Sequence, residues 1–151
     1  MRAKRRICNV CKRKYKEEET VCPMCHCAQH TLSVCEWKGV MGLNDLFSDF
    51  CTCTISLTKD GIVVLKRRLS TIINIIWDWI FHDLNYALAF NEPYSNIKSI
   101  NNLERNRRRF IGTLKITVIE MYDGNQYSFL RFKDDKLKLL EEYSKVKVNH
   151  I

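Results

Sequence analysis

The chain has 151 residues, 46% hydrophobic and 28% charged, with 25 Lys or Arg against 17 Asp or Glu and a formal charge of +8. That length holds one ordinary domain, or a small metal-held module joined to a domain of about 110 residues, and the clustering of the cysteines favours the second. Eight cysteines would suit a secreted disulfide protein, but the start, Met1 to Cys8, is basic and lacks the apolar stretch of a signal peptide, so a reducing cytoplasm is expected.

The charge is uneven. Residues 1–35 hold eight Lys or Arg against three Glu, a net of +5, and the remaining 116 residues carry 17 against 14, a net of +3. A positive field on the front of the chain favours anionic partners, nucleic acid or acidic lipid, and is equally the solubilising surface of a module with little core.

In chain order, the first element is two Cys-x2-Cys knuckles, Cys8 with Cys11 and Cys22 with Cys25. Each knuckle places two thiolates on one side of a metal, and the segment between them folds back as a hairpin, which is the spacing of one tetrahedral zinc. Four thiolates leave no open position for water or substrate, so the expected role is structural. His26, Cys27, His30 and Cys35 stand close enough in sequence to replace a ligand or make a second site. Residues 1–35 are expected to fold around the metal, and zinc removal is expected to unfold that part alone. A linker is expected over 36–44, marked by Gly39 and Gly42, and a second domain over 45–151.

From Phe50 to Arg68 the chain reads as a hairpin. Cys51, Cys53, Ile55 and Leu57 alternate with polar residues, Asp60-Gly61 turns the chain, and Ile62-Val63-Val64-Leu65 returns. Cys51 and Cys53 share one strand face and read as small core residues. Over 70–90, large apolar residues crowd together: Ile72, Ile76, Trp77, Trp79, Ile80 and Phe81 with their neighbours. Asp78, His82 and Asp83 argue against a membrane span, since a charged side chain at mid-bilayer costs roughly 2.5 to 3.5 kcal/mol even on a lenient scale. Asn74, Asp78, His82 and Asn85 form one polar stripe at helical spacing, so an apolar helical insert is predicted, ended by Pro93. A strand follows from Asn96 to Leu103. A second hairpin turns at Asp123-Gly124, between Leu114 to Met121 and Tyr127 to Phe132. The chain closes with a helix from Asp134, with Asp135 also in its first turn and either Leu137, Leu140 and Ser144 or Leu139, Tyr143 and Val146 facing a sheet.

Taken together, Lys59-Asp60-Gly61-Ile62-Val63-Val64-Leu65, Tyr94-Ser95-Asn96-Ile97-Lys98-Ser99-Ile100, and Ile116-Thr117-Val118-Ile119 with Asp123-Gly124-Asn125-Gln126-Tyr127-Ser128-Phe129 resemble the strand pattern of bacterial PH/GRAM-like domains. The knuckles resemble a zinc ribbon. The resemblance implies an α+β chain: a four-cysteine zinc ribbon, then a strongly bent antiparallel sheet of about six or seven strands capped by the terminal helix, in a bacterial or phage protein.

Anion-binding candidates are Arg5, Arg6, Lys12 and Arg13 in the ribbon, within a wider basic run interrupted by the single aromatic Tyr15, and Arg107, Arg108 and Arg109 at a strand turn. His82 with Asp78 and Asp83 is the one arrangement suggesting acid–base chemistry, and no nucleophile or phosphate loop accompanies it. The expectation is therefore a non-enzymatic cytoplasmic binding or adaptor protein, peripheral at the membrane or bound to a protein. The 70–90 segment is expected to contact a partner, a second copy or a lipid surface. The alternative is a nucleic-acid-binding accessory protein using the basic ribbon.

Overall fold

The computed structural model describes residues 3–42, 50–67, 86–106 and 112–151. A two-stranded hairpin, β1 (Arg5–Ile7) and β2 (Lys14–Lys16), carries the front of the chain. Eight strands follow: β3 (Ser33–Gly42), β4 (Phe50–Thr58), β5 (Gly61–Arg67), β6 (Tyr86–Pro93), β7 (Ile97–Asn106), β8 (Thr113–Met121), β9 (Gln126–Leu130) and β10 (Val148–His150), with helix α1 (Asp134–Ser144) before the last. A 3-10 turn, Tyr94–Asn96, joins β6 to β7.

The eight strands form one sheet in the order β10-β7-β8-β9-β3-β4-β5-β6. Every neighbouring pair is antiparallel except β10 with β7. The sheet curls over itself: Phe90 on the edge strand β6 stacks on Tyr127 of β9, four places away, with ring centroids 3.9 Å apart. Register shifts at Ser33/Cys35, Val64/Leu65 and Ile97/Ser99 supply local bends of the kind that curvature requires.

Inside the curl, alternate residues meet as the period of two dictates. Cys53, Ile55, Leu57, Ile62, Val64, Ile100, Ile119 and Phe129 are buried there, and α1 closes the core with Leu137, Leu140 and Ser144, the first of the two faces its spacing offered. Burying a side chain such as Phe129 or Leu140 stabilises the fold by about 1.5 to 3 kcal/mol. Asp134 and Asp135 occupy the first turn of α1, where the helix dipole favours them, and the helix ends on Lys145 in the left-handed conformation, φ 61°. At the β4–β5 turn, Thr58 Oγ1 accepts from the Gly61 N–H at 3.1 Å, and the Tyr94 hydroxyl donates to the Thr58 carbonyl at 2.6 Å.

Both hairpins and the C-terminal helix stand where the sequence places them. Three expectations are corrected. Residues 36–44, expected as a linker, are strand as far as Gly42, because β3 pairs with β4 on one side and β9 on the other. The helical insert expected over 70–90 does not reach its far end, since Tyr86–Pro93 is β6, paired along β5. The sheet has eight strands instead of six or seven, because β3 begins earlier than the domain boundary allowed and the tail after α1 adds β10. The remainder of the insert, with Ile72, Ile76, Trp77, Trp79, Ile80, Phe81, Asp78, His82 and Asp83, lies outside the described residues, as do Arg107, Arg108 and Arg109. No helix among the described residues is long and apolar enough to cross a membrane.

Candidate metal centre

The two knuckles share one backbone design. In the first, the Cys8 carbonyl accepts from the Lys12 N–H at 3.0 Å and the Cys8 N–H donates to the Arg13 carbonyl at 2.9 Å. In the second, the Cys22 carbonyl accepts from the His26 N–H at 2.9 Å and the Cys22 N–H donates to the Cys27 carbonyl at 2.9 Å. The residue after the second cysteine of each knuckle is left-handed, Lys12 at φ 63° and His26 at φ 58°. This reversal aims both thiols of a Cys-x2-Cys unit the same way. The Val10 and Cys11 N–H groups point at Cys8 Sγ from 3.4 and 3.5 Å, as donors that stabilise a thiolate.

Facing each other, the knuckles bring Cys8, Cys11, Cys22 and Cys25 together with all four Sγ atoms within 4.8 Å of one another. Cys8 Sγ stands 3.5 Å from Cys25 Sγ, and Cys11 Sγ 3.5 Å from Cys22 Sγ. A zinc–sulfur bond of about 2.3 Å would put the sulfurs of a tetrahedron roughly 3.8 Å apart, so the set can hold a metal ion and is compatible with zinc. All eight cysteines are free of disulfides, and Cys22 and Cys25 are fully buried.

The crowded thiols resist ionising without a cation. A hydrogen bond with Cys25, then burial, pushes Cys11 up; burial pushes Cys22 up. At Cys25 the hydrogen bond with Cys11 works downward, and the Cys27 thiol together with burial outweighs it. A divalent ion reverses this balance, because its charge favours every thiolate at once.

The centre is seated on the sheet. Cys8, Val10, Tyr15, Cys22, Cys25 and Cys27 of the ribbon form one apolar cluster with Val63 and Leu65 of β5, with Met24, Tyr86 and Leu88 packed around it. Val63 and Leu65 point away from the main core that takes Ile62 and Val64. The ribbon is thus the second cover of β5. Asn91 on β6 completes the join, its Nδ2 donating to the Cys25 carbonyl at 2.8 Å and approaching Cys27 Sγ at 3.6 Å.

The four expected ligands are brought together; the four nearby alternatives are not among them. His26 and His30 are exposed, Cys27 is buried under Asn91, and Cys35 lies on β3 with Lys136 Nζ 3.3 Å from its sulfur. Cys51 and Cys53 are buried on one face of β4, as expected.

The anion-binding candidates of the ribbon are dispersed. Arg5 lies on the exposed face of the β1–β2 hairpin, opposite Lys16. Arg6 faces the other way, its guanidinium 5.7 Å from the centroid of the Tyr15 ring and donating to the Glu17 carbonyl. Lys12 and Arg13 stand at the first knuckle beside the sheet.

Sequence reasoning missed Asn91, Val63 and Leu65 as seats for the ribbon. The signal was present in β5: Ile62-Val63-Val64-Leu65 is apolar without alternation, the mark of a strand covered on both faces.

No protein-family model matches the chain, and no curated protein matches it.

Proposed function

We propose that this is a non-enzymatic binding or adaptor protein, in which one structural zinc ion locks a ribbon onto a PH/GRAM-like sheet that presents the contact surface for a protein partner or an acidic membrane. The observation that carries it is the sulfur cluster itself: four cysteines occupy the whole of a tetrahedral shell, so bound zinc would supply crosslinking and charge neutralisation, with no position left for a reacting group. The bent sheet with α1 over its core agrees with the PH/GRAM-like arrangement that the sequence resembles. Such a scaffold offers its rim and outer surfaces for recognition.

The test uses the zinc-loaded chain. Purified protein is floated with vesicles containing phosphatidylserine, and, in parallel, a partner captured from cell extract is reconstituted as a purified pair. Binding in either arm at physiological salt is expected, and failure in both overturns the reading.

A second reading rests on the hairpin. Arg5, Lys14 and Lys16 are all exposed, with Arg5 paired to Lys16 across the two strands, so one face of the ribbon carries a compact cationic stripe suited to a phosphate backbone. It predicts oligonucleotide binding that weakens steeply with salt and falls when Arg5 and Lys16 are both changed to alanine. Absence of retention at low salt removes it.

A further inference from the structure

Between the first knuckle and the outer face of the sheet lies a cleft of about 360 Å³, within the range of small-molecule sites. Its cations come from two different parts of the chain: Lys12 and Arg13 from the ribbon, and Lys38 from β3. Val10, Leu65 and Tyr86 give it an apolar and aromatic lining, and Glu36 adds one carboxylate.

The three cations are uncommitted in a way that matters. Among the described residues none of them forms an ion pair. Lys12 Nζ donates to the Asn9 carbonyl at 2.6 Å, and Arg13 Nη1 donates to the sulfur of Met24 at 3.5 Å. A guanidinium has five donors and an ammonium three, so most of their capacity remains for a ligand. Like charges gathered beside a partly enclosed cleft repel one another, and an anion between them relieves that repulsion.

We infer that this cleft binds a small organic phosphate with an aromatic body, the phosphate held by Lys12, Arg13 and Lys38 and the ring against Tyr86 and Leu65. Arg13 suits the phosphate through its planar fork, and Lys12 and Lys38 add point charge. Glu36 accepts a hydrogen bond from a donor on the ring, which makes an aminated base a better fit than a bare phenyl group. None of the stripe residues Arg5, Lys14 and Lys16 lines the cleft, and the titration below reads small-molecule binding alone, so its failure is distinguishable from failure of the function proposed above.

The test is calorimetric titration of the zinc-loaded full chain with adenosine monophosphate, phenyl phosphate, inorganic phosphate and adenosine. Adenosine monophosphate is expected to bind best, with inorganic phosphate and adenosine each weaker by about tenfold or more, since each keeps only half of the contacts. Lys38→Ala and Lys12→Gly are each expected to weaken the mononucleotide about tenfold, with zinc content unchanged; the glycine keeps the left-handed backbone that Lys12 adopts. Lys138→Ala, exposed on α1 and outside the cleft, is expected to leave binding as it was. A trinucleotide carrying a 5′-phosphate separates the two sources of the proposed group: tighter binding than the mononucleotide assigns the site to a strand end, and equal or weaker binding, which shows no contact with the added nucleotides, assigns it to a free nucleotide. The inference is overturned if no phosphate probe binds at millimolar concentration, if inorganic phosphate binds as tightly as the mononucleotide, or if Lys138→Ala weakens binding as much as Lys38→Ala.

Discussion

Asn91 and Cys25 are separated by 66 positions in sequence, yet the Asn91 side-chain amide donates to the Cys25 carbonyl at 2.8 Å, tying the second metal knuckle to the edge strand of the sheet. Asn91→Ala leaves that part-buried carbonyl without its donor. The expected cost is about 1 to 2 kcal/mol in urea unfolding of the metal-loaded chain, accompanied by faster amide exchange in the second knuckle. Unchanged stability and exchange would show that the hydrogen bond does not hold the ribbon down.

Chelation reaches further than the ribbon. Removing a metal ion from the four-cysteine site is expected to uncover Val63 and Leu65, which are 1% and 9% exposed in the folded chain. Binding of a hydrophobic dye and a tendency to associate are expected, while the main core keeps its circular dichroism. One equivalent of zinc should leave with the change. Because the thiols of Cys11, Cys22 and Cys25 are held above their ordinary range, metal loading must displace protons, so affinity falls as pH is lowered. A chelated chain that binds no dye would mean that the ribbon stays seated without its metal.

Cys53 sets an alkaline limit. Burial pushes its thiol up to about 12, against an ordinary value near 8.5 in the unfolded chain. The folded state therefore holds its proton more tightly. Its contribution is complete below about pH 8.5 and is lost as pH rises from there through about 12. Comparing wild type with Cys53→Ala between pH 8 and 11, the wild-type stability should fall more steeply, and equal slopes would contradict the assignment. At pH 8 a soluble alkylating reagent should leave Cys53 untouched in the folded protein.

Gly61 opens β5 where the backbone of β6 passes close by. A Cβ there would lie 2.2 Å from the Glu92 carbonyl oxygen. Neither partner is the end of a flexible side chain, so Gly61→Ala must part the two strands and is expected to cost about 3 kcal/mol or more. Gly124, in the β8–β9 turn, has open space around it but φ +91°, and its alanine variant should cost only about 1 kcal/mol. Thermal melts of the pair check the ordering.

Legibility followed the reach of each constraint. The cysteine spacing is dictated by one small coordination sphere, so Cys8, Cys11, Cys22 and Cys25 could be read directly. The β4–β5 and β8–β9 hairpins declare themselves through a period of two and a short turn. β3 was hidden by its glycines. Gly39 reads as a loop residue, but it sits where a Cβ would come within 2.9 Å of the Ile55 side chain, so it is there for close packing in a strand. β6 was hidden by composition: Tyr86-Ala87-Leu88-Ala89-Phe90 continues an apolar run that suits a helix, and only pairing with β5 makes it a strand. Asn91 and Lys38 owe their interest to what lies across from them, which no local pattern records.

The two-sided covering of β5 also bears on how such a gene can be cut and rejoined. A truncated product carrying the curled sheet without its cysteine-rich front would display a greasy strand to every neighbouring molecule, so expressing the sheet alone is expected to give an aggregating product. Any exchange of the front piece for another must bring its own oily underside to match Val63 and Leu65.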